Sequence, residues 1–269
     1  FAQEQARVIA GATGPLLLGL VDKSLVEASG DGRFDLHELV RQFGSRELAA
    51  MGSEEQVRRD HYAVYYRLAA DLARQRIGPE AISSGDRFEQ ELDNFHAALA
   101  WGFDQELIEE LLAFSEEMFF GWMRGGHWQI GEMWTRKVAD AQGDGDDKLL
   151  CSALCRLVSF LALQGRFPET VPLIQRAVPM ARRLGDPWCL ALANNIIGQS
   201  SSDIEDSIDA YEQLIVICRA EEGYPFDHFF CLNLKQGFPF VTYCSAVMCP
   251  HVYLFCRELN ESRRFCARE

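Results

Sequence analysis

Positive charge is what this sequence has least of. Against 40 Asp and Glu there are 26 Lys and Arg, a formal net charge of −14 over 269 residues. A surface of that sign repels nucleic-acid backbones and anionic membranes, which argues against broad binding to either. Catalytic signatures are missing too. Gly11-Ala12-Thr13-Gly14 lacks the lysine and hydroxyl of a phosphate-binding P-loop. There is no nucleophile motif, no His-Glu-x-x-His pair and no dinucleotide fingerprint. The carboxylates are many, but nothing pairs them at an active site. The expectation is a non-enzyme: no catalytic residue, no metal and no cofactor held by these residues. No basic segment leads into an apolar run, so no signal peptide is expected and the compartment is read as cytoplasmic. The first residue is Phe1, and the sequence reads as part of a longer chain.

Apolar residues make up 48% of the chain and charged residues 25%, enough for a core that needs no disulfides. The patterning predicts a mainly α protein. A small winged-helix unit with one β-hairpin occupies residues 1–52. A helical linker or repeat region covers 53–145, a superhelical array of helical repeats 146–223, and a divergent tail 224–269.

The first region begins with a short helix over Ala2–Ala10. A second follows Pro15, a residue suited to a helix start, and is rich in leucine at Leu16, Leu17, Leu18 and Leu20. Leu25–Ala28 and Arg33–Leu36 read as short strands around the turn residues Ser29-Gly30-Asp31-Gly32. From His37 a third helix runs to about Ala50, with Leu39, Val40, Phe43 and Leu48 near one face. Helix, helix, hairpin, helix is the order of a winged helix, and such units often bind DNA. Here the would-be recognition helix offers Lys23 alone as a base. Residues 14–50 carry Lys23, Arg33, Arg41 and Arg46 against six acids. Phosphate contact needs the opposite balance, so packing against protein is favoured over DNA binding.

The runs Leu20-Val21-Asp22-Lys23-Ser24-Leu25-Val26 and Arg33-Phe34-Asp35-Leu36-His37-Glu38-Leu39-Val40-Arg41 resemble the winged-helix domain of bacterial STAND-type (NB-ARC-like) regulators. In that family a nucleotide-binding switch precedes a helical sensor. Leu36-His37-Glu38 is similar to the family's Met-His-Asp motif, whose histidine reaches the phosphate of bound nucleotide. The resemblance implies that role for His37, with Leu36 as apolar anchor and Glu38 as the acid. It also implies ADP or ATP in an upstream nucleotide-binding domain that partners this unit. On the residues alone, His37 could equally cap or pack at a strand–helix junction.

Beyond residue 53 helices dominate. Predicted spans are Glu54–Arg76, Asp86–Phe103, Leu107–Met123 and His127–Ala141. The second carries Phe88, Leu92, Phe95, Leu99 and Phe103 as its apolar stripe, and Glu91–Trp101 is similar to the helix that follows the winged domain in the same regulators. Trp122, Trp128 and Trp134 fall at helical spacing and read as core rather than as a ligand cage. The loop Gln142–Asp147 lacks the alternating ligands and distal Glu of a calcium site.

A shift of 37 residues aligns Glu169-Thr170-Val171 with Asp206-Ser207-Ile208, Leu173 and Ile174 with Ala210 and Tyr211, and Val178 with Ile215. Each unit reads as helix, tight turn, helix, similar to a degenerate tetratricopeptide array. Stacked hairpins of this kind form surfaces for a protein or small-molecule signal. Cys151 and Cys155, one helical turn apart, read as small core residues. The tail holds five of nine cysteines, and Gly237–Cys256 has no charged residue. Its prolines, His251, Thr242 and Ser245 argue against a membrane span, and Cys244, Cys249, His251 and Cys256 lack the paired spacing of zinc modules.

Two functions fit. The leading one is a non-catalytic regulatory and protein-interaction module of a STAND-type transcriptional regulator. In it the repeats sense a signal or partner and the winged unit couples to the nucleotide switch. The alternative is a DNA-binding winged-helix regulator with a helical dimerisation region.

Overall fold

The computed structural model of the 269-residue chain describes residues 1–76, 79–144, 147–200 and 204–220. The tail from 224, with its cysteines and uncharged stretch, lies outside the described residues, as do Gly78, Gly145, Asp146, Ser202 and Asp203 of the expected breaks and turns. The described residues are mainly helical. In order they form α1 (Gln3–Ala10), α2 (Gly14–Asp22), β1 (Glu27–Ala28), β2 (Phe34–Asp35), α3 (Glu38–Ala50), α4 (Glu54–Arg74), α5 (Ala81–Asp104), α6 (Ile108–Arg124), α7 (Trp128–Gln142), α8 (Lys148–Leu163), a 3-10 turn (Phe167–Glu169), α9 (Thr170–Leu184), α10 (Pro187–Ser200) and α11 (Ile204–Ala220). No helix among the described residues is long and apolar enough to cross a membrane. The chain divides into two compact units, Phe1–Gly121 and the part from Trp122 onward.

In the first unit, Thr13 caps α2 by accepting from the Leu16 N–H, and Pro15 sits in the first turn, where its missing N–H costs nothing. β1 and β2 pair antiparallel in the register Glu27 to Asp35 and Ala28 to Phe34. Asp31 closes the turn by accepting from the Ser29 hydroxyl and the Arg33 N–H. Residues 1 and 2 add a third edge, since Phe1 and Phe34 exchange backbone hydrogen bonds and Ala2 bridges Arg33. The core lies in α4, α5 and α6. Tyr62, Tyr65, Phe88, Phe95, Leu99 and Phe114 are buried there, with Phe95 and Phe114 fully enclosed. Their rings meet edge-on or tilted, Tyr65 to Phe95 at 5.8 Å and Tyr66 to Phe114 at 5.2 Å.

The helices flanking the hairpin behave differently from the sequence expectation. In α2 only Leu17 is buried, while Leu16 and Leu18 are more than half exposed. α3 buries no residue at all, and Leu39 and Phe43 are 69% and 64% exposed. On the same face of α3, Val40 and Leu48 are half-buried, and α3 touches α4 only lightly.

In the second unit, Asp147 caps α8 by accepting from the Leu150 N–H at 3.0 Å. α8 is nearly enclosed, from Leu150 to Ala162. α7 packs on α8, α8 on α9, α10 on both α8 and α9, and α10 on α11. The turn between α8 and α9 uses Gly165 in the left-handed region, at φ 72°. At the positions aligned by the offset of 37, Phe167 opens the 3-10 turn that precedes α9, whereas Ile204 opens α11 itself. Trp122 and Trp134 are core side chains, and half-buried Trp128 donates its indole N–H to the Met123 carbonyl. Cys151 and Cys155 are fully buried, and the Cys151 thiol is directed at the Ala177 carbonyl. The neighbouring Cys155 thiol and burial push Cys151 up to about 12, so it remains a protonated packing residue.

Candidate functional site

The hairpin delivers Leu36, His37 and Glu38 to the junction with α3. Asp35 accepts from the Leu36 N–H at 2.8 Å and ends the strand. His37 has left helical geometry, and its Nδ1 accepts from the Leu39 N–H at 3.3 Å, making it the cap of α3. That bond spends Nδ1 as an acceptor. The neutral ring therefore carries its proton on Nε2, which leaves an N–H donor on an exposed side chain. Glu38 is exposed and turned along the helix, accepting from Gln42 at 2.9 Å and pairing with Arg41 at 3.3 Å. Leu36 is half-buried. The three residues of the motif are thus contiguous at one strand–helix junction. His37 caps as the residue-level reading allowed, and the same geometry presents an imidazole N–H outward.

Behind the hairpin sits a charged centre that the periodicity did not announce. Glu91 of α5 is fully buried, and Arg33 of the hairpin meets it at 2.6 Å. Arg33 also donates to the Gln90 carbonyl at 3.0 Å. The second oxygen of Glu91 accepts from Asn94 at 2.8 Å and lies 3.4 Å from the Tyr65 hydroxyl. Burial pushes the Glu91 carboxyl up, but the bonds from Arg33 and Asn94 outweigh it and hold it below the ordinary range. A signal for Glu91 did exist in the sequence. It stands three residues after Phe88 and four before Phe95, on the buried stripe, where a carboxylate requires a partner.

The second unit holds an open cleft of about 570 Å³ along α7, lined by Glu132, Met133, Arg136, Lys137, Gln164 and Arg166 among others. At its floor Glu132, 8% exposed, accepts from Arg166 at 2.6 Å, Gln164 at 2.9 Å and Arg136 at 3.1 Å. Arg166 is also forked onto Glu169, with two bonds of 2.7 Å. The guanidinium charges are matched by carboxylates, so the cleft is polar and close to neutral. It suits a polar, uncharged group better than a phosphate. Among the described residues no cluster of His, Cys, Asp and Glu is arranged to hold a metal ion.

Comparison with known proteins adds one group of relatives. No family model matches the chain, and no solved structure does. Over 199 residues the chain is 30% identical to proteins of Mycobacterium bovis and of Mycobacterium tuberculosis strains CDC 1551 and H37Rv that carry the provisional name HTH-type transcriptional regulator. The match covers 68% of this chain and 22% of each relative. The chain therefore spans about a fifth of the length of these curated relatives. What it shares with them is sequence similarity to a part of proteins named as transcriptional regulators.

Proposed function

We propose that this chain is a non-catalytic regulatory and interaction module of a STAND-type transcriptional regulator working in the cytoplasm. The name of the mycobacterial relatives supports transcriptional control. The resemblance of residues 20–41 to the winged helix of STAND regulators supports the switch. In this reading the first unit partners an upstream nucleotide-binding domain, and the stacked hairpins α8–α11 receive a protein or small-molecule signal. Signal binding shifts the parent protein from a nucleotide-closed to an open state.

The observation that carries the reading is the placement of Leu36-His37-Glu38. The motif lies at a strand–helix junction, its imidazole is exposed, and the helix it caps has an uncovered apolar face. An exposed Nε2–H suits a phosphate oxygen of ADP or ATP held by a neighbouring domain, and Leu39 and Phe43 suit that domain's apolar surface. The nucleotide would supply the charged group that distinguishes the two states. Replacing His37 by Ala in the intact regulator should raise signal-independent transcription. Output indistinguishable from wild type would remove His37 from the switch.

The mycobacterial name also favours the second reading, DNA binding by the winged unit. The charges oppose it. Of the four bases between residues 14 and 50, Arg33 is committed to Glu91 and Arg41 to Asp35 and Glu38. Retardation of duplex DNA by the 269-residue chain at low salt, weakening steeply as salt rises, would favour that reading instead.

A further inference from the structure

Residues 27–50, the hairpin and α3, contain no buried residue. A segment of that length normally anchors itself by at least one core side chain, because apolar burial is what offsets the loss of chain entropy. Here the anchoring falls to backbone pairing with Phe1 and Ala2, to the stacking of Phe34 on Phe1 at 6.0 Å, to light contact of α3 with α4, and to one long-range ion pair, made by Arg33. Arg33, just before β2, crosses to α5 and makes two bonds there, to the Glu91 carboxylate and to the Gln90 carbonyl. The receiving end is rigid. Glu91 is fully enclosed, held also by Asn94 of its own helix and faced by Tyr65 of α4. The giving end is mostly covered as well, the Arg33 side chain being 17% exposed.

The segment's two ends share a feature. Ser24, just before it, lies in the left-handed region at φ 57°, and Gly52, just after it, lies there at φ 69°. Ser24 stops α2 and Gly52 stops α3, with the Ser53 N–H returning to the Leu48 carbonyl. For a serine this conformation is unfavourable and persists only when its surroundings impose it. Both ends of the segment are therefore places where a small change in backbone angle redirects the chain.

We propose that the Arg33–Glu91 pair is a latch. It fixes the hairpin and α3, and with them His37, against α4 and α5, and its opening releases residues 27–51 as one arm while the α4–α5 pair stays folded. The chemistry suits a latch better than a glue. An apolar anchor would be graded and slow to leave. Arg33 makes one ion pair, to Glu91, and one bond, to the Gln90 carbonyl, so the tie is either made or broken, and residues 27–50 bury no side chain whose departure would leave an apolar cavity. This holds whether or not His37 meets a nucleotide.

Segment-resolved amide exchange on the 269-residue chain tests it. Replacing Arg33 and Glu91 together by Gln removes the pair without leaving an orphan buried carboxylate. Amides of residues 27–51 should then exchange at least about tenfold faster, while those of α4 and α5 stay within about threefold of wild type. Arg33→Lys keeps the charge but not the fork, and should fall between the two. Unchanged exchange in 27–51 would overturn the latch. So would acceleration of α4 and α5 in step with the arm, or loss of the α4–α5 fold in the double variant. Either would make the pair a part of the core.

Discussion

Gly131 offers a sharp test of packing in the second unit. It lies inside α7, and a Cβ added there would sit 2.5 Å from Cζ of Phe160, 2.8 Å from its Cε1 and 3.1 Å from Cε3 of Trp122. Phe160 and Trp122 are both fully buried, with ring centroids 6.3 Å apart, so neither ring has room to withdraw. Overpacking of a closed core costs about 1–3 kcal/mol, and an overlap of about 1 Å belongs at the upper end. Replacing glycine by alanine inside a helix returns about 1 kcal/mol. Gly131→Ala should therefore cost about 2 kcal/mol, which lowers a urea midpoint by roughly 1–2 M at typical slopes. Indole fluorescence is the natural readout, since four of the five tryptophans (Trp122, Trp128, Trp134 and Trp188) lie in this unit. The control is Gly44→Ala in α3, where nothing lies within 4 Å of the added carbon. There the helix term acts alone, so exchange of α3 amides should slow. A Gly131→Ala chain as stable as wild type would show that α7 does not approach α8 this closely.

Three further outcomes follow from the geometry. His61 is held below its ordinary value near 6.5, first by burial, with Arg58 adding to the effect and a bond to Asn94 opposing it. Its folded form resists a proton that the unfolded chain accepts, so stability should fall as pH drops from 7 through 6.5 and below. His61→Gln should flatten that slope in a pH series of urea melts. Glu91, held below the ordinary carboxylate range, acts in a lower window. Its contribution is complete above about pH 4.5 and is lost on further acidification, a loss that Glu91→Gln should remove. Asp147→Ala removes the acceptor for the Leu150 N–H and should cost the second unit about 1 kcal/mol, read as a shift in the fluorescence-detected midpoint.

How much of this was legible beforehand depended on whether the controlling force was local. The hairpin was, because Ser29-Gly30-Asp31-Gly32 specifies a turn and alternation specifies the strands on either side. The start of α2 was, because Pro15 acts on its own first turn; the caps Thr13 and Asp147 were not read as such. The stripe through Phe88, Phe95 and Leu99 was, because a period of 3.6 becomes a buried face once another helix is present. The exposure of Leu16, Leu18, Leu39 and Phe43 was not. Periodicity tells which face is apolar and is silent on whether a neighbour covers it. The ion pairs of Arg33 with Glu91, 58 residues apart, and of Arg166 with Glu132, 34 apart, were not announced either. Long-range pairing depends on how helices stack, and only the phase of each carboxylate on a buried stripe hinted that a partner was needed. For the motif at Leu36-His37-Glu38 the residues allowed both a cap and an outward donor, and the coordinates join the two on one ring.

Nucleotide retention by the intact regulator is the most direct measurement of the whole account. ADP carried through purification is quantified for the wild-type protein and for His37→Ala, with Glu27→Gln, on the exposed strand β1 outside the motif, as a control that leaves the imidazole in place. The account predicts that the alanine protein loses most of its ADP while the glutamine protein keeps it. Equal ADP in all three proteins would contradict it.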